Sequence, residues 1–226
     1  MNMQKQINIR QFGLCDYQAV FNAMSRFTRE RNEIVCDEIW CLHHAPVFTL
    51  GMAGKEDHIL DAGDIPVIKT DRGGQVTYHG PGQLVVYLLL DLQRKGLTVK
   101  RYVSLIEQAL IDMCVSLDID AERKAGAPGV YVADKKIAAL GVRVKRGCSY
   151  HGLALNVDMD LSPFRQINPC GYPGLQVTQL KDEGSNQDVG SAFATLLPYL
   201  MKHLDYTEVV PVDSVRTDLF KTSRAA

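Results

Sequence analysis

The chain has 226 residues, which suits one large domain, and 46% of them are hydrophobic, so it can bury a sizeable core. Its 25 basic and 26 acidic side chains give a net charge of −1, which argues against nucleic-acid binding, since that normally needs a basic excess. No apolar run approaches the roughly 18 residues that cross a bilayer, and the N-terminal MNMQKQINIRQFG lacks the apolar region of a secretory signal. We therefore expect a cytoplasmic protein of one domain, residues 1–226, whose six cysteines stay reduced.

The first third of the chain predicts one helix followed by short strands. Asp16 can cap a helix, and apolar side chains recur behind it at helical spacing, which predicts a helix over 16–31 whose apolar stripe is core. Short apolar runs predict strands over 37–42 and 47–50, separated by a turn at Pro46. Residues 67–69 then run extended into a glycine-rich stretch.

That stretch, 70–92, reads TDRGGQVTYHGPGQLVVYLLLDL. Its apolar run 84–90 is short and bounded by turn residues, which predicts a buried strand. The glycines before it let the backbone approach a ligand closely. A hairpin loop with a buried histidine and tyrosine is the alternative. Arginine, tyrosine, histidine and glutamine lie together within twelve positions, and this density favours a ligand site.

The remaining two thirds predict further helices around hairpin-connected strands. These elements are a helix over 99–117, a turn at 124–129, a hairpin over 130–144 with a charged turn at 134–136, a turn at 146–148, a strand over 151–157, a loop over 161–174, a helix over 187–204 and a frayed tail, KTSRAA. The regular βαβ alternation of a doubly wound sheet is missing. The pattern therefore predicts the α+β class, with mixed or antiparallel sheets flanked by helices.

Several common functional motifs are absent from the sequence. It contains no G-x-S-x-G nucleophile elbow, no P-loop and no G-x-G-x-x-G that follows a strand and opens a helix. These absences disfavour a serine hydrolase and the commonest nucleotide-binding folds, although ATP held by an unrelated loop stays open. A metal site would have to gather Cys36, Cys41, His43 and His44. Adjacent histidines on a strand point to opposite faces, so we expect no metal.

Cys170 is the candidate nucleophile. It lies in the motif NPCG, inside a loop rich in proline and glycine, whereas Cys15, Cys36, Cys41 and Cys114 lie in or beside core elements. A loop thiol near a cation becomes reactive, and we expect the N–H of Gly171 to face an oxyanion. An incidental surface thiol is equally compatible with this position.

A second candidate is the pair Lys135-Lys136, which precedes the apolar segment IAALG. A solvated charge pair at a hairpin tip is the ordinary interpretation. Alternatively, one lysine turns inward toward a ligand, where desolvation and nearby cations lower its pKa enough for proton transfer near neutrality. The residues alone leave both readings open.

Five motifs occur in the order found in the lipoyl(octanoyl) transferases, and the resemblance spans about residues 17–180. They are HHAPVFTLG, RGGQVTYHGPGQ, KIAALGVRV, HGLALNV and INPCG. In the first, Ala45 stands where the family usually has a second proline, which affects only a turn. The resemblance implies a fold like the catalytic domain of biotin and lipoate ligases.

The resemblance also implies site residues. The cysteine of the P-C-G motif maps to Cys170, and the lysine that immediately precedes Ile-Ala maps to Lys136 rather than Lys135. Its acyl pocket maps to three segments, comprising Arg72, Gly73, Gly74, Gln75, Val76, Thr77, Tyr78 and His79; Ala139, Leu140 and Gly141; and Gly152, Leu153 and Ala154. The role of His79 is left open between positioning the donor and lining the pocket.

The activity implied by the resemblance is octanoyl (or lipoyl) transfer in lipoate biosynthesis. The donor is octanoyl-acyl carrier protein, the intermediate is a thioester on Cys170, and no cofactor is needed. The acceptors are lysines on lipoyl domains of 2-oxoacid dehydrogenases and on the glycine cleavage H protein. A basic surface at Arg143, Lys145 and Arg146 is expected to meet the acidic carrier protein. The alternatives are an ATP-dependent lipoate-protein ligase, which HGPGQ disfavours, and a non-catalytic lipoyl- or octanoyl-binding module.

Overall fold

The computed structural model describes residues 5–210. Three α-helices within this range are α1 (Tyr17–Glu30), α2 (Val99–Val115) and α3 (Val189–His203). The strands in the same range are β1 (Gln6–Cys15), β2 (Asp37–His44), β3 (Val47–Leu50), β4 (Val67–Lys69), β5 (Val76–His79), β6 (Gln83–Leu89), β7 (Glu122–Lys124), β8 (Ala127–Val132), β9 (Lys135–Lys145), β10 (Cys148–Asn156) and β11 (Glu208–Val210).

The three predicted helices are confirmed to within two residues at either end. Asp16 caps α1, since its carboxylate accepts a hydrogen bond from the Ala19 N–H at 2.8 Å, as the sequence predicts. Most predicted strands are also present. The predictions overlooked β1, β5, β7 and β11, and the strand predicted at 151 begins three residues earlier. The tail KTSRAA lies outside the described residues.

Strands of the larger sheet follow the order β11-β1-β2-β6-β10-β9-β8-β7, parallel from β11 to β2 and antiparallel from β2 onward. Along β6, Leu84, Val86 and Leu88 pack against α2 and α3, whereas Val85 and Tyr87 pack against α1. Helices cover both faces at this central strand. This explains why its sequence is an unbroken apolar run rather than an alternating one.

The smaller sheet has the order β4-β3-β5 and a core of its own, in which Phe48 and Tyr78 pack with Phe164. It places the glycine turn before β5 against the larger sheet, where the Gly73 N–H donates to the Val142 carbonyl of β9 at 3.1 Å. The candidate site lies between this turn and the face of the larger sheet. Within residues 5–210, no helix has the length and apolar character needed to cross a bilayer.

Candidate active site

A cavity of about 310 Å³ lies between the glycine turn, the face of β9 and β10, and the loop that carries Cys170. Its walls are mainly apolar, and a few polar groups converge on it, as in small-molecule sites generally. Every predicted site residue except Tyr78 lines it. The further lining residues, which the sequence analysis did not assign to the site, are Tyr17, Val85, Tyr87, Val103, Ala127, Pro128, Val142, His151 and Tyr172.

The prediction that Tyr78 lines the pocket is wrong. The segment 76–79 is a strand rather than a loop. The Tyr78 ring packs against Phe48 at a tilt and against Phe164 edge to face, in the core of the smaller sheet, and does not line the cavity. Tyr17 is the converse case. It belongs to the apolar stripe of α1, yet it lines the cavity and its hydroxyl donates to Thr70 Oγ1 at 3.1 Å.

The two candidate catalytic side chains meet at one end of this cavity. Lys136 Nζ donates to Cys170 Sγ at 3.0 Å and to the Pro128 carbonyl at 3.0 Å. Lys136 is only 4% exposed, whereas Lys135 is exposed at the hairpin tip. The Lys136 backbone is also paired with residues 176–178, because its N–H donates to the Gln176 carbonyl at 2.9 Å. The inward reading of the lysine pair therefore holds for Lys136.

Lys136 carries a positive charge in this arrangement. Burial by itself lowers the pKa of the ammonium, but the Cys170 sulfur beside it and the Tyr131 side chain raise that pKa above the ordinary lysine value. The Nζ atom also lies 5.1 Å from the centre of the Tyr131 ring. The expectation of a lowered lysine pKa is therefore wrong for this state, because the neighbouring group is a sulfur that can carry negative charge rather than another cation.

Cys170 lies in a single 3₁₀ turn, Pro169–Gly171, and has a φ of 57°. Left-handed backbone at a residue other than glycine is strained, and such strain is common where a side chain must be presented to a ligand. The Gly171 N–H donates to the Asn168 carbonyl at 2.9 Å. The expectation that this N–H faces an oxyanion is therefore wrong, because it closes the turn that presents the thiol.

Small residues form the floor of the cavity. On neighbouring strands, Ala139 pairs with Ala154 and Gly141 pairs with Gly152, and all four line the cavity. A side chain at Gly141 would bring a Cβ to 3.1 Å from both the Arg72 side chain and the Gly73 carbonyl. The absence of bulk at these positions therefore leaves an apolar slot between the sheet and the glycine turn.

Arg72 fixes the glycine turn above that slot. Its guanidinium donates to the Thr49 carbonyl at 2.6 Å, to the Gln75 carbonyl at 2.7 Å and to the Gly73 carbonyl at 3.0 Å. These acceptors are neutral, and burial lowers the pKa of the guanidinium, partly opposed by Tyr17 and Cys170. Arg72 thus holds the roof of the slot and adds positive potential near the thiol.

Three histidines are buried beside the slot. Burial lowers the pKa of His44 to about 4, and burial with the neighbouring His44 lowers the pKa of His79 to about 3. Burial also lowers the pKa of His151, although its Nε2 lies 2.9 Å from Asp71. The ring of His79 contacts Gln83 at 2.7 Å. All three rings are therefore neutral near pH 7, and His79 and His151, which line the cavity, add no charge to it.

We expect these histidines to make the fold sensitive to mild acid. Each is neutral when folded and takes up a proton near pH 6.5 when unfolded. The stability they contribute is therefore present above pH 6.5 and is lost as the pH falls toward the lowered pKa of the folded state, about 4 for His44 and about 3 for His79. The free energy of unfolding in urea should fall by about 1.4 kcal/mol per pH unit for each of these two residues. His79→Gln should flatten this slope between pH 6 and 4.5, and an unchanged slope would contradict the assignment.

Comparison with known families identifies the family to which the chain belongs. The family model of the lipoyl protein ligase A/B catalytic domain matches residues 16–200. The octanoyltransferase of Shewanella sp. (strain MR-7) is 55% identical over 204 residues, which are 90% of this chain and 94% of that protein. The chain therefore belongs to the lipoyl protein ligase A/B catalytic domain family, as its five motifs predict.

Solved structures confirm the predicted fold. A putative lipoate protein ligase from T. acidophilum superposes with a TM-score of 0.73 at 13% identity, over 95% of this chain and 92% of that chain. A biotin protein ligase from Aquifex aeolicus, solved with biotin and ATP, superposes with a TM-score of 0.57 at 13% identity, over 87% of this chain and 70% of that chain. At these identities the likeness concerns the α+β fold alone.

Proposed function

We propose that the chain transfers an octanoyl group from acyl carrier protein to the ε-amino group of a lysine on a lipoyl domain, through a thioester on Cys170. The octanoyltransferase relatives, at 53–55% identity over most of the chain, support octanoyl transfer in lipoate biosynthesis. The observation that carries the covalent route is the 3.0 Å contact between Lys136 Nζ and Cys170 Sγ at the end of an apolar slot.

The first half-reaction exchanges one thioester for another. Cys170, as a thiolate beside the Lys136 ammonium, attacks the carbonyl carbon of the donor thioester. The carbon–sulfur bond to the carrier breaks, and the departing thiolate takes a proton from Lys136. The acyl group arrives already activated, so this step needs no ATP.

The second half-reaction depends on what acylation does to Lys136. Once Cys170 is a thioester, its sulfur carries no negative charge, and burial then dominates and lowers the pKa of Lys136. Neutral Lys136 can accept a proton as the acceptor amine attacks the thioester carbonyl. The tetrahedral intermediate collapses to an amide and expels the Cys170 thiolate, and the original ion pair is restored.

Oxyanion donors must come from groups other than the Gly171 N–H. The carboxamide of Gln75 is suitably placed, since its oxygen accepts a hydrogen bond from the Lys55 N–H at 2.9 Å and its NH₂ remains to donate. A Cβ on Gly171 would lie 3.4 Å from the carboxamide carbon of Gln75, so this amide lies beside the Cys170 turn. We propose Gln75 as one donor; such groups are typically worth about 2.7–4 kcal/mol.

The limited size of the slot predicts that the rate of Cys170 acylation depends on the length of the acyl chain. Ala139→Leu should fill the floor beneath the distal carbons, so Cys170 should react at least about tenfold more slowly with an octanoyl donor. A butanoyl donor, which does not reach as far, should react at nearly the natural rate. The two rates are measured by intact-protein mass spectrometry, and equal slowing of both donors would place the acyl chain elsewhere.

The direct test of the proposed function is an intermediate trapped without ATP. The purified chain is incubated with octanoyl-acyl carrier protein and examined by mass spectrometry. We expect an octanoyl adduct on Cys170 that disappears when a lipoyl domain is added, with an octanoylated lysine appearing there. A folded preparation that forms no adduct but modifies the domain only with free octanoate and ATP would instead be a ligase.

Partners and location follow from the same chemistry. We propose lipoyl domains of 2-oxoacid dehydrogenases and the glycine cleavage H protein as acceptors, in the cytoplasm, where the reaction's free thiol stays reduced. Of the basic residues expected to meet the carrier protein, Lys145 and Arg146 are exposed, and Arg146 donates to the Thr28 carbonyl at 3.3 Å. These residues remain our proposal for the docking surface.

A further inference from the structure

The pairing between β8 and β9 ends early, beside the catalytic pair. The two strands pair from the hairpin to Val130 opposite Ala138, with a register shift between Tyr131 and Val130, yet β9 continues to Lys145. Continued from Val130 and Ala138, the pairing would place Pro128 opposite Leu140. A proline has no N–H to donate, and the preceding ladder position is Gly129, whose φ of 136° suits only glycine. The sequence itself therefore ends the ladder here.

The early ending leaves one edge of β9 open. The Val142 carbonyl accepts from the Gly73 N–H, on the side away from β10. Alternate residues of a strand direct their amides to opposite edges, so Leu140 directs its N–H and C=O the same way as Val142. Leu140 pairs with Leu153 of β10, and within residues 5–210 no residue of β8 is paired with Leu140 on the opposite edge.

This open edge adjoins the nucleophile. The Pro128 carbonyl and Cys170 Sγ both lie 3.0 Å from Lys136 Nζ, so these two atoms are no more than about 6 Å apart. Leu140 and Pro128 line the same cavity as Cys170, together with Val103. A chain that leaves the thioester sulfur in this direction passes along the Leu140 edge.

We propose that the open edge of β9 at Leu140 hydrogen-bonds the amides of the pantetheine arm on which the donor thioester is carried, an inference that rests on the proposed function. A pantetheine arm is an extended chain with two amide groups, and the first lies two carbons from the thioester sulfur. Buried amides need partners. The N–H and C=O of Leu140 supply a donor and an acceptor in the arrangement of a strand edge.

The length of the edge favours this occupant over an acceptor polypeptide. The opening runs from Leu140 to Val142, where the Gly73 N–H already occupies the carbonyl, and so spans about 7 Å at 3.3 Å per residue. Two amides separated by the two methylenes of β-alanine span a similar distance. A strand from a folded acceptor domain needs a longer edge to pair, since strands usually have 3–10 residues.

Three octanoyl donors on the natural chain test the inference. They are octanoyl-pantetheine with two amides, octanoyl-N-acetylcysteamine with one, and S-octanoyl propanethiol with none. We expect the rate of Cys170 acylation, normalised to reaction of each donor with free cysteine, to fall roughly three- to tenfold per amide removed. Equal normalised rates would overturn the inference. If no donor acylates Cys170, the proposed function fails and this inference fails with it.

Two matched variants test whether the dependence on donor amides arises at Leu140. Leu140→Pro removes one N–H from the open edge, so it should lower the ratio of the pantetheine rate to the amide-free rate by about the same factor. Val144→Pro removes an N–H from the same edge farther from the cavity and should change neither rate, and Leu140→Ala controls for the side chain. Circular dichroism checks the fold; if Leu140→Pro does not fold, the donor series decides.

One further outcome would assign the open edge of β9 to the acceptor domain instead. If Leu140→Pro leaves acylation of Cys170 unchanged but slows transfer from preformed octanoyl-Cys170 to a lipoyl domain, the acceptor occupies this edge, and the pantetheine inference is overturned. The two half-reactions are measured separately, by mixing the isolated acyl-enzyme with the domain.

Discussion

Cys170→Ala should lower octanoyl transfer at least about a thousandfold, because it removes the atom that forms the covalent bond to the acyl group in the proposed route. No octanoyl adduct should be detected on the variant protein. Alanine adopts the same left-handed backbone about as readily as cysteine, so the turn Pro169–Gly171 should persist. The transfer rate and the intact mass are measured on the same folded preparation.

Cys36→Ser is the matched control. Cys36 is half-buried outside the cavity, and burial, together with the neighbouring Asp37, raises the pKa of its thiol. Its loss should leave transfer within about twofold of the natural rate, as for substitutions away from a site. If Cys170→Ala retained transfer while losing the adduct, the acyl group would pass directly from the donor to the amine, and the covalent route would be wrong.

Lys136→Ala should abolish turnover, with a loss of about a hundred- to ten-thousandfold, whereas Lys135→Ala should leave it unchanged. The two residues are adjacent, but the Lys136 ammonium lies 3.0 Å from the nucleophile and Lys135 is exposed. Steady-state transfer to a lipoyl domain is the measurement. Equal losses in both variants would show that the charge of the hairpin, rather than this contact, supports the reaction.

Lys136→Arg separates the two roles of the lysine. An arginine keeps a positive charge beside the Cys170 sulfur but gives up no proton near neutrality. We expect octanoyl-Cys170 to form, with the departing carrier thiolate taking its proton from water instead, and to accumulate, because the incoming amine has no base to take its proton. A variant that failed at acylation instead would indicate that geometry at the sulfur, rather than charge, is what the lysine provides.

The sequence predicts much of the fold for local reasons. The helices α1, α2 and α3 each have an apolar face at helical spacing, and the run 84–90 is apolar throughout because β6 is covered on both faces. The weakly patterned β1 could not be found in this way, since Ile7 is its only fully buried residue. β5 was hidden by flanking glycines, and only its pairing with β3 defines it as a strand.

The residues of the candidate site likewise include some that the sequence predicts and some that only the structure reveals. Cys170 and Lys136 could be assigned because each lies in a motif, although they are 34 residues apart in the chain. Tyr17 and Tyr87 could not, because the sequence shows each as part of an apolar stripe and only tertiary packing turns it toward the cavity. The sequence could have pointed to His151 as a site residue, since it is the first residue of the motif HGLALNV. The engagement of the Gly171 N–H depends on a turn conformation that no residue spacing reveals.

The unequal surroundings of the six thiols have a consequence for oxidative stress. Burial raises the pKa of Cys15, Cys36, Cys41, Cys114 and Cys148, which keeps them protonated and slow to react with peroxide. Because an ammonium lies at the Cys170 sulfur, we expect peroxide to oxidise this thiol first. Oxidation would therefore be concentrated on one sulfur atom, and the thioester proposed for Cys170 would protect that atom for as long as the acyl group stays attached.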